Sequence, residues 1–239
     1  MLHFDSTYFL FILPALALSL WASFRVKRTF KKYSRVRALS GLTGAQAARL
    51  MLERAGLTDV TVSRSRGMLS DHYNPLNKSL ALSEGVHDSP SVAAIGVACH
   101  EAGHALQHAR GYKPLYLRSA LVPTANIGSS LGYIVMMCGL MLMIFSGNAA
   151  LGQTIVLLGA LLFSAVLVFQ VVTLPVEFDA SNRAKRLAVE YGIVSARERE
   201  GMDKVLNAAA LTYVAAVIST LMTLLYFLLR AGLLGGSRD

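Results

Sequence analysis

The segment His100-Glu101-Ala102-Gly103-His104 lies in a stretch that reads as one helix, opened by Ser89-Pro90 and closed near Gly111. Proline is favoured in a first helical turn, and glycine ends helices readily. On a helix, residues i and i+4 share a face, so both imidazoles can point at one metal ion. Glu101 lies beside that face and can act as general base on a water. With six His in 239 residues, the chance occurrence of this motif is about 0.004. Two His next to Ala98 and Cys99 also make a poor solvent face.

A catalytic zinc takes three protein ligands and leaves one position open. The third ligand must come from elsewhere in the chain. A metzincin-type pattern needs Gly three residues after the second His and His six after it; Gln107 and Arg110 stand there instead. Glu177, in Leu174-Pro175-Val176-Glu177-Phe178-Asp179-Ala180, is the better candidate. The proline predicts a new helix at this point, with Glu177 in its first turn. His108, one turn beyond His104, reads as a packing residue or a group facing substrate.

Composition narrows the class. Apolar residues make up 54% of the chain and charged residues 15%, outside the range of an ordinary soluble domain. Two cysteines, Cys99 and Cys138, cannot form a disulfide framework. The net charge of +9 lacks an aromatic-basic recognition pattern, so topology explains it and nucleic acid is not an expected partner.

Residues 7–24 form an apolar run near bilayer-spanning length. Arg25, Lys27, Arg28, Lys31, Lys32, Arg35 and Arg37 follow without an acidic residue, and Asp5 is the one charged side chain before the run. A cleaved signal would carry its positive charge first, so the run reads as a retained anchor with Arg25 onward in the cytoplasm. Residues 25–123 read as a cytoplasmic catalytic part. In it, Thr43 and Gln46 form a capping box ahead of a helix ended by Gly56. Residues 60–62 and 79–83 read as strands, and 71–75 as a turn. Further apolar segments cover residues 127–145, 154–174 and 208–229, with a polar helical segment over 175–207. The expected fold is therefore mainly α: an integral membrane protein with about four transmembrane helices and a cytoplasmic α+β metalloprotease domain.

The motif, the later Glu177-Phe178-Asp179-Ala180-Ser181 and the order of apolar segments resemble the bacterial membrane zinc metallopeptidases of the YugP-like family, distantly related to the HtpX membrane proteases. The similarity extends to residues 117–123 and 206–213. It implies a zincin-like fold and a gluzincin site, with His100, His104 and Glu177 holding one Zn2+ per chain and Glu101 as catalytic base. The implied setting is the bacterial inner membrane, with the active site facing the cytoplasm. The implied substrate is a membrane-associated protein or peptide, with a regulatory membrane partner as a further expectation. In the wider pattern, an Asp four residues after the third ligand orients a ligating His. Ser181 stands there, so the orienting group is Asp179, Ser181 or Asn182. Candidate oxyanion donors are Arg183, His72, Tyr73 and His108. In gluzincins a strand such as 79–83 forms the edge along which an extended substrate binds.

Two alternatives compete with a cytoplasm-facing endopeptidase. In one, the motif lies within the bilayer; Gln107, His108 and Arg110 make the second half of that helix too polar for this. In the other, zinc serves structure in a non-catalytic adaptor. A structural site would close the fourth position and needs no Glu101.

Overall fold

A computed structural model describes residues 6–67 and 70–234; Asp5 of the charge pattern lies outside them. The described chain is mainly helical, with one small sheet. It divides into two compact units.

The first unit comprises the chain up to Trp21, Leu117–Thr173 and the part from Thr212 onward. It draws on α1 (Ser6–Tyr33), α5 (Lys113–Ile127), a π-helical turn at Gly128–Gly132, α6 (Tyr133–Ser146), α7 (Ala149–Glu190) and α8 (Ala196–Arg230). Among the described residues, four stretches are long and apolar enough to cross a membrane: Ser6–Tyr33, Lys113–Ser146, Ala149–Glu190 and Ala196–Arg230. Their outer faces carry bare apolar side chains such as Leu10, Leu20, Leu157 and Leu161, which water would disfavour and lipid accepts. Inside, Met136, Val156, Phe163 and Phe227 pack together. Glycines set the spacing. A Cβ on Gly132 would fall 2.7 Å from the Phe163 backbone nitrogen, and one on Gly139 would fall 2.7 Å from that of Val156. Such close backbone approach is how helices pack where no hydrophobic drive separates them from lipid.

The second unit comprises Ala22–Tyr116 and Leu174–Leu211. It holds α2 (Gly44–Arg54), β1 (Thr61–Ser65), β2 (His72–Asn74), β3 (Ser79–Ser83), a single turn α3 (Glu84–His87) and α4 (Val92–Ala109). Thr43 caps α2 through the expected capping box with Gln46. The sheet order is β1-β3-β2, with β1 parallel and β2 antiparallel to β3. Met51, Leu52, Leu80, Leu82, Ile95, Leu106, Ile193 and Met202 form its core. Each such side chain contributes about 1.5–3 kcal/mol on burial. The apolar half of the motif helix α4 is buried in this core, with Val97 half-buried.

Several local expectations give way. Pro175 ends no helix: α7 is one 42-residue helix with Pro175 inside it. A proline removes one donor, whereas a break in an apolar stretch strands several backbone groups away from water. Glu177 is accordingly a mid-helix residue and owes nothing to a helix N-terminus. The cap of α4 is Ser91, whose hydroxyl accepts the Ala94 N–H, and Ser89-Pro90 precedes the helix. The Pro90 carbonyl is used instead by the Ala38 N–H. The turn expected at 71–75 contains β2, which makes β3 the central strand. Residues 79–83 are therefore no sheet edge, because Tyr73 pairs opposite Leu80 on one side and Val62 on the other. Cys99 is buried, but Cys138 is exposed on α6.

Candidate metal centre

Two helical stretches of the second unit build the centre: α4, and α7 from Leu174 onward. α4 supplies His100, Glu101 and His104, and α7 supplies Glu177. Their close approach depends on Gly103. A Cβ there would sit 2.6 Å from the Ala180 carbonyl oxygen, which is backbone and cannot swing aside. The small residues of the motif thus admit α7 against α4, one turn from Glu177.

Among the described residues, His100, His104 and Glu177 form a group that could hold a metal ion, with ligand atoms all within 4.8 Å of one another. His100 Nε2 lies 3.1 Å from Glu177 Oε2, and His104 Nε2 lies 3.6 Å from the same oxygen. Atoms each about 2.1 Å from a tetrahedral zinc are about 3.4 Å apart, so this spacing fits. The donor set of two imidazoles and one carboxylate fits as well, being a three-ligand arrangement that zinc uses with a fourth position open. The imidazoles meet edge to face, with ring centroids 4.8 Å apart. Glu177 is 2% exposed, so its carboxylate has almost no water to stabilise it.

The electrostatics agree with a cation-binding pocket. Burial alone would raise the Glu177 carboxyl, but the His100 and His104 imidazoles facing it hold it well below the usual carboxylate range. Burial alone would lower His104, but Glu177 and the charge of Glu101 raise it above its ordinary value. The three groups want a positive charge among them. Cys99, next to His100, is not part of this: burial pushes its thiol up to about 12, leaving it a neutral packing group.

The other candidate residues differ in what they touch. Ser181, where the wider pattern has Asp, places its Oγ 3.1 Å from His100 Nδ1. Asp179 meets no histidine directly. It accepts from Gln107 Nε2 at 2.8 Å and from Arg183 Nε at 2.5 Å. Asn182 is exposed. Arg183 stacks over Tyr112, 5.7 Å from its ring centroid. His108 Nδ1 lies 2.9 Å from the Tyr73 hydroxyl, and its ring also packs beside Tyr116. His72 is exposed and bonds the Ser70 carbonyl through Nδ1.

Sequence reasoning gave Gln107 no role at the site, counting it as a departure from the metzincin pattern and as one of the residues that make the end of α4 polar. Gln107 is fully buried, with Oε1 3.0 Å from His104 Nδ1 and Nε2 2.8 Å from the Val176 carbonyl. The available signal was its spacing, three residues after His104 on the same helix face.

The chain matches, over residues 8–232, the profile of a family described as "Putative neutral zinc metallopeptidase". It is 47% identical over 223 residues to a Bacillus subtilis (strain 168) protein named "Putative membrane protease YugP", covering 92% of this chain and 95% of that one. No solved structure matches. With a His-His-Glu group suited to zinc and four apolar helices of membrane-crossing length, the chain belongs to this family of neutral zinc metallopeptidases.

Proposed function

We propose that the protein is a membrane-embedded zinc endopeptidase of the gluzincin type, cutting membrane or membrane-proximal proteins. The observation that carries this reading is the convergence of His100, His104 and Glu177, with Glu101 buried beside them on α4. His100, His104 and Glu177 would hold one zinc ion per chain. When bound, zinc polarises a scissile carbonyl and makes water more acidic. Glu101 accepts a proton from the attacking water and returns it to the leaving amine. Candidates for the donor to the developing oxyanion are Tyr73, His108, Arg183 and His72, of which Tyr73 and His108 are bonded to each other, Arg183 through Nε to Asp179 and His72 through Nδ1 to the Ser70 carbonyl.

Residues 25–123 with 175–207 are read as a zincin-like domain facing the cytoplasm of a bacterial cell. The seven basic residues from Arg25 to Arg37 support that orientation through the positive-inside rule. The apolar segments 7–24, 127–145, 154–174 and 208–229 are read as its four membrane spans.

The test is a substrate trap. Glu101→Gln protein, expressed in cells and purified, should retain zinc, cleave nothing and hold peptides identifiable by mass spectrometry. Undiminished cleavage by the mutant would remove Glu101 from its role. Trapped peptides drawn from external segments would reverse the orientation.

A further inference from the structure

We infer that Gln107, braced by Asp179, is a positioning residue that fixes His104 in the tautomer presenting Nε2 to a metal ion. The inference deepens the zinc-site reading above and rests on it.

The argument is one of donors and acceptors. A glutamine amide has two N–H donors and one carbonyl acceptor. Gln107 Nε2 lies 2.8 Å from the Val176 carbonyl and 2.8 Å from Asp179 Oδ2. Val176 offers only an acceptor, and the Asp179 carboxylate is likewise an acceptor, so the nitrogen must face them. Turning the amide over would set its oxygen against both at a fully buried position, where unpaired polar atoms are costly. Oε1 therefore faces His104 Nδ1 at 3.0 Å. That oxygen can only accept, so Nδ1 carries the ring proton. A neutral imidazole with its proton on Nδ1 keeps its lone pair on Nε2, the atom 3.6 Å from Glu177 Oε2.

Asp179 is itself held. Arg183 Nε donates to it at 2.5 Å, and the Arg183 guanidinium lies over Tyr112. The two helices thus serve each other twice. α7 offers Glu177 as a ligand and, two residues on, Asp179 to brace the amide. α4 offers His104 as a ligand and, three residues on, the amide that orients it. The two histidines are supported differently: His100 by the Ser181 hydroxyl and His104 by an amide. At Nδ1 each meets a neutral group, and the charge of Asp179 reaches His104 through the Gln107 amide.

The experiment measures zinc affinity by chelator competition on the full-length protein in detergent, with thermal melting of each variant alongside. Gln107→Leu keeps the volume and removes the acceptor; zinc should bind ten- to a hundredfold more weakly, the range for loss of a ligand-orienting partner. Gln107→Glu alone sets two carboxylates face to face and should also weaken zinc. In the double variant Gln107→Glu with Asp179→Asn, the acceptor toward His104 stays and a donor returns between positions 107 and 179, while the Val176 carbonyl still lacks its donor. It should recover part of the affinity lost by Gln107→Glu. Wild-type affinity in Gln107→Leu overturns the inference, and so does a double variant no better than Gln107→Glu. A wild-type protein that holds no zinc overturns the metallopeptidase reading instead.

Discussion

In the apolar unit, Gly132 meets the Phe163 backbone and Gly139 meets Val156. In the unit with the metal centre, Gly103 meets Ala180 as closely. The surroundings differ. Around the first pair lie Met136, Phe163 and Phe227, so the contact is van der Waals packing alone. Beside the Gly103–Ala180 contact, the same two helices pair His100 with Ser181 and Gln107 with Asp179. There, the same absence of a Cβ brings polar groups within bonding distance. One device serves stability in one unit and chemistry in the other. Small shifts should consequently be tolerated differently, because dispersion fades gradually with distance and ligand geometry does not.

The largest effect is expected from Gly103→Ala. Its methyl would require α4 and α7 to part by several tenths of an ångström or more. Zinc affinity and peptidase activity should both fall at least a hundredfold, measured by metal analysis and peptide hydrolysis. Near-normal zinc content would break the comparison, since the close approach would then be dispensable to the site. Gly139→Leu is the counterpart in the apolar unit. Overpacking of this kind costs about 1–3 kcal/mol, seen as a lower melting temperature in detergent, with zinc stoichiometry unchanged. Loss of zinc in that variant would show that the two glycine contacts are not separable.

The smallest effect concerns Glu198, at the start of α8. Its carboxylate accepts from the Ser195 N–H and hydroxyl and from the Leu39 N–H. Burial works against the charged form, but these bonds hold its pKa below the ordinary 4.5. A depressed folded-state pKa gives stability that is full above the unfolded value and is lost as pH falls through the folded value. Glu198→Gln should therefore lower stability by about 1 kcal/mol at neutral pH, as for a lost helix cap. The gap to wild type should close below pH 4.5. A difference independent of pH would mean that Glu198 acts through packing rather than charge.

Much of the site could be read in advance because its residues are chemically loud. His100, Glu101 and His104 are adjacent in sequence, and Glu177 is a carboxylate flanked by apolar residues, in a helix that buries it. The supporting groups were quieter. Ser181 differs from the expected Asp, yet a hydroxyl four residues after Glu177 reaches His100 all the same. Gln107 read as no more than a polar residue near the end of the motif helix, because polarity alone does not reveal that three partners await it inside. The four apolar helices followed from length and composition. Their ends did not, because helices persist past the apolar run: α1 continues through the basic residues to Tyr33, and α7 continues through Pro175. The sheet was misread where β2 is shortest. Three residues flanked by Asp71 and Pro75 carry turn chemistry, and only pairing with β3 makes them a strand.

The contact at Gly103 also has a genetic side. A glycine codon can reach alanine, serine, cysteine, valine, arginine, tryptophan, aspartate or glutamate by one base change, and every one of these brings a Cβ. With the Ala180 carbonyl 2.6 Å from where that atom would go, no single missense step at this codon leaves the helix pair in place. Random mutagenesis should return position 103 as glycine or as an inactive protein, while neighbouring exposed codons such as those of Ala109 and Arg110 drift freely.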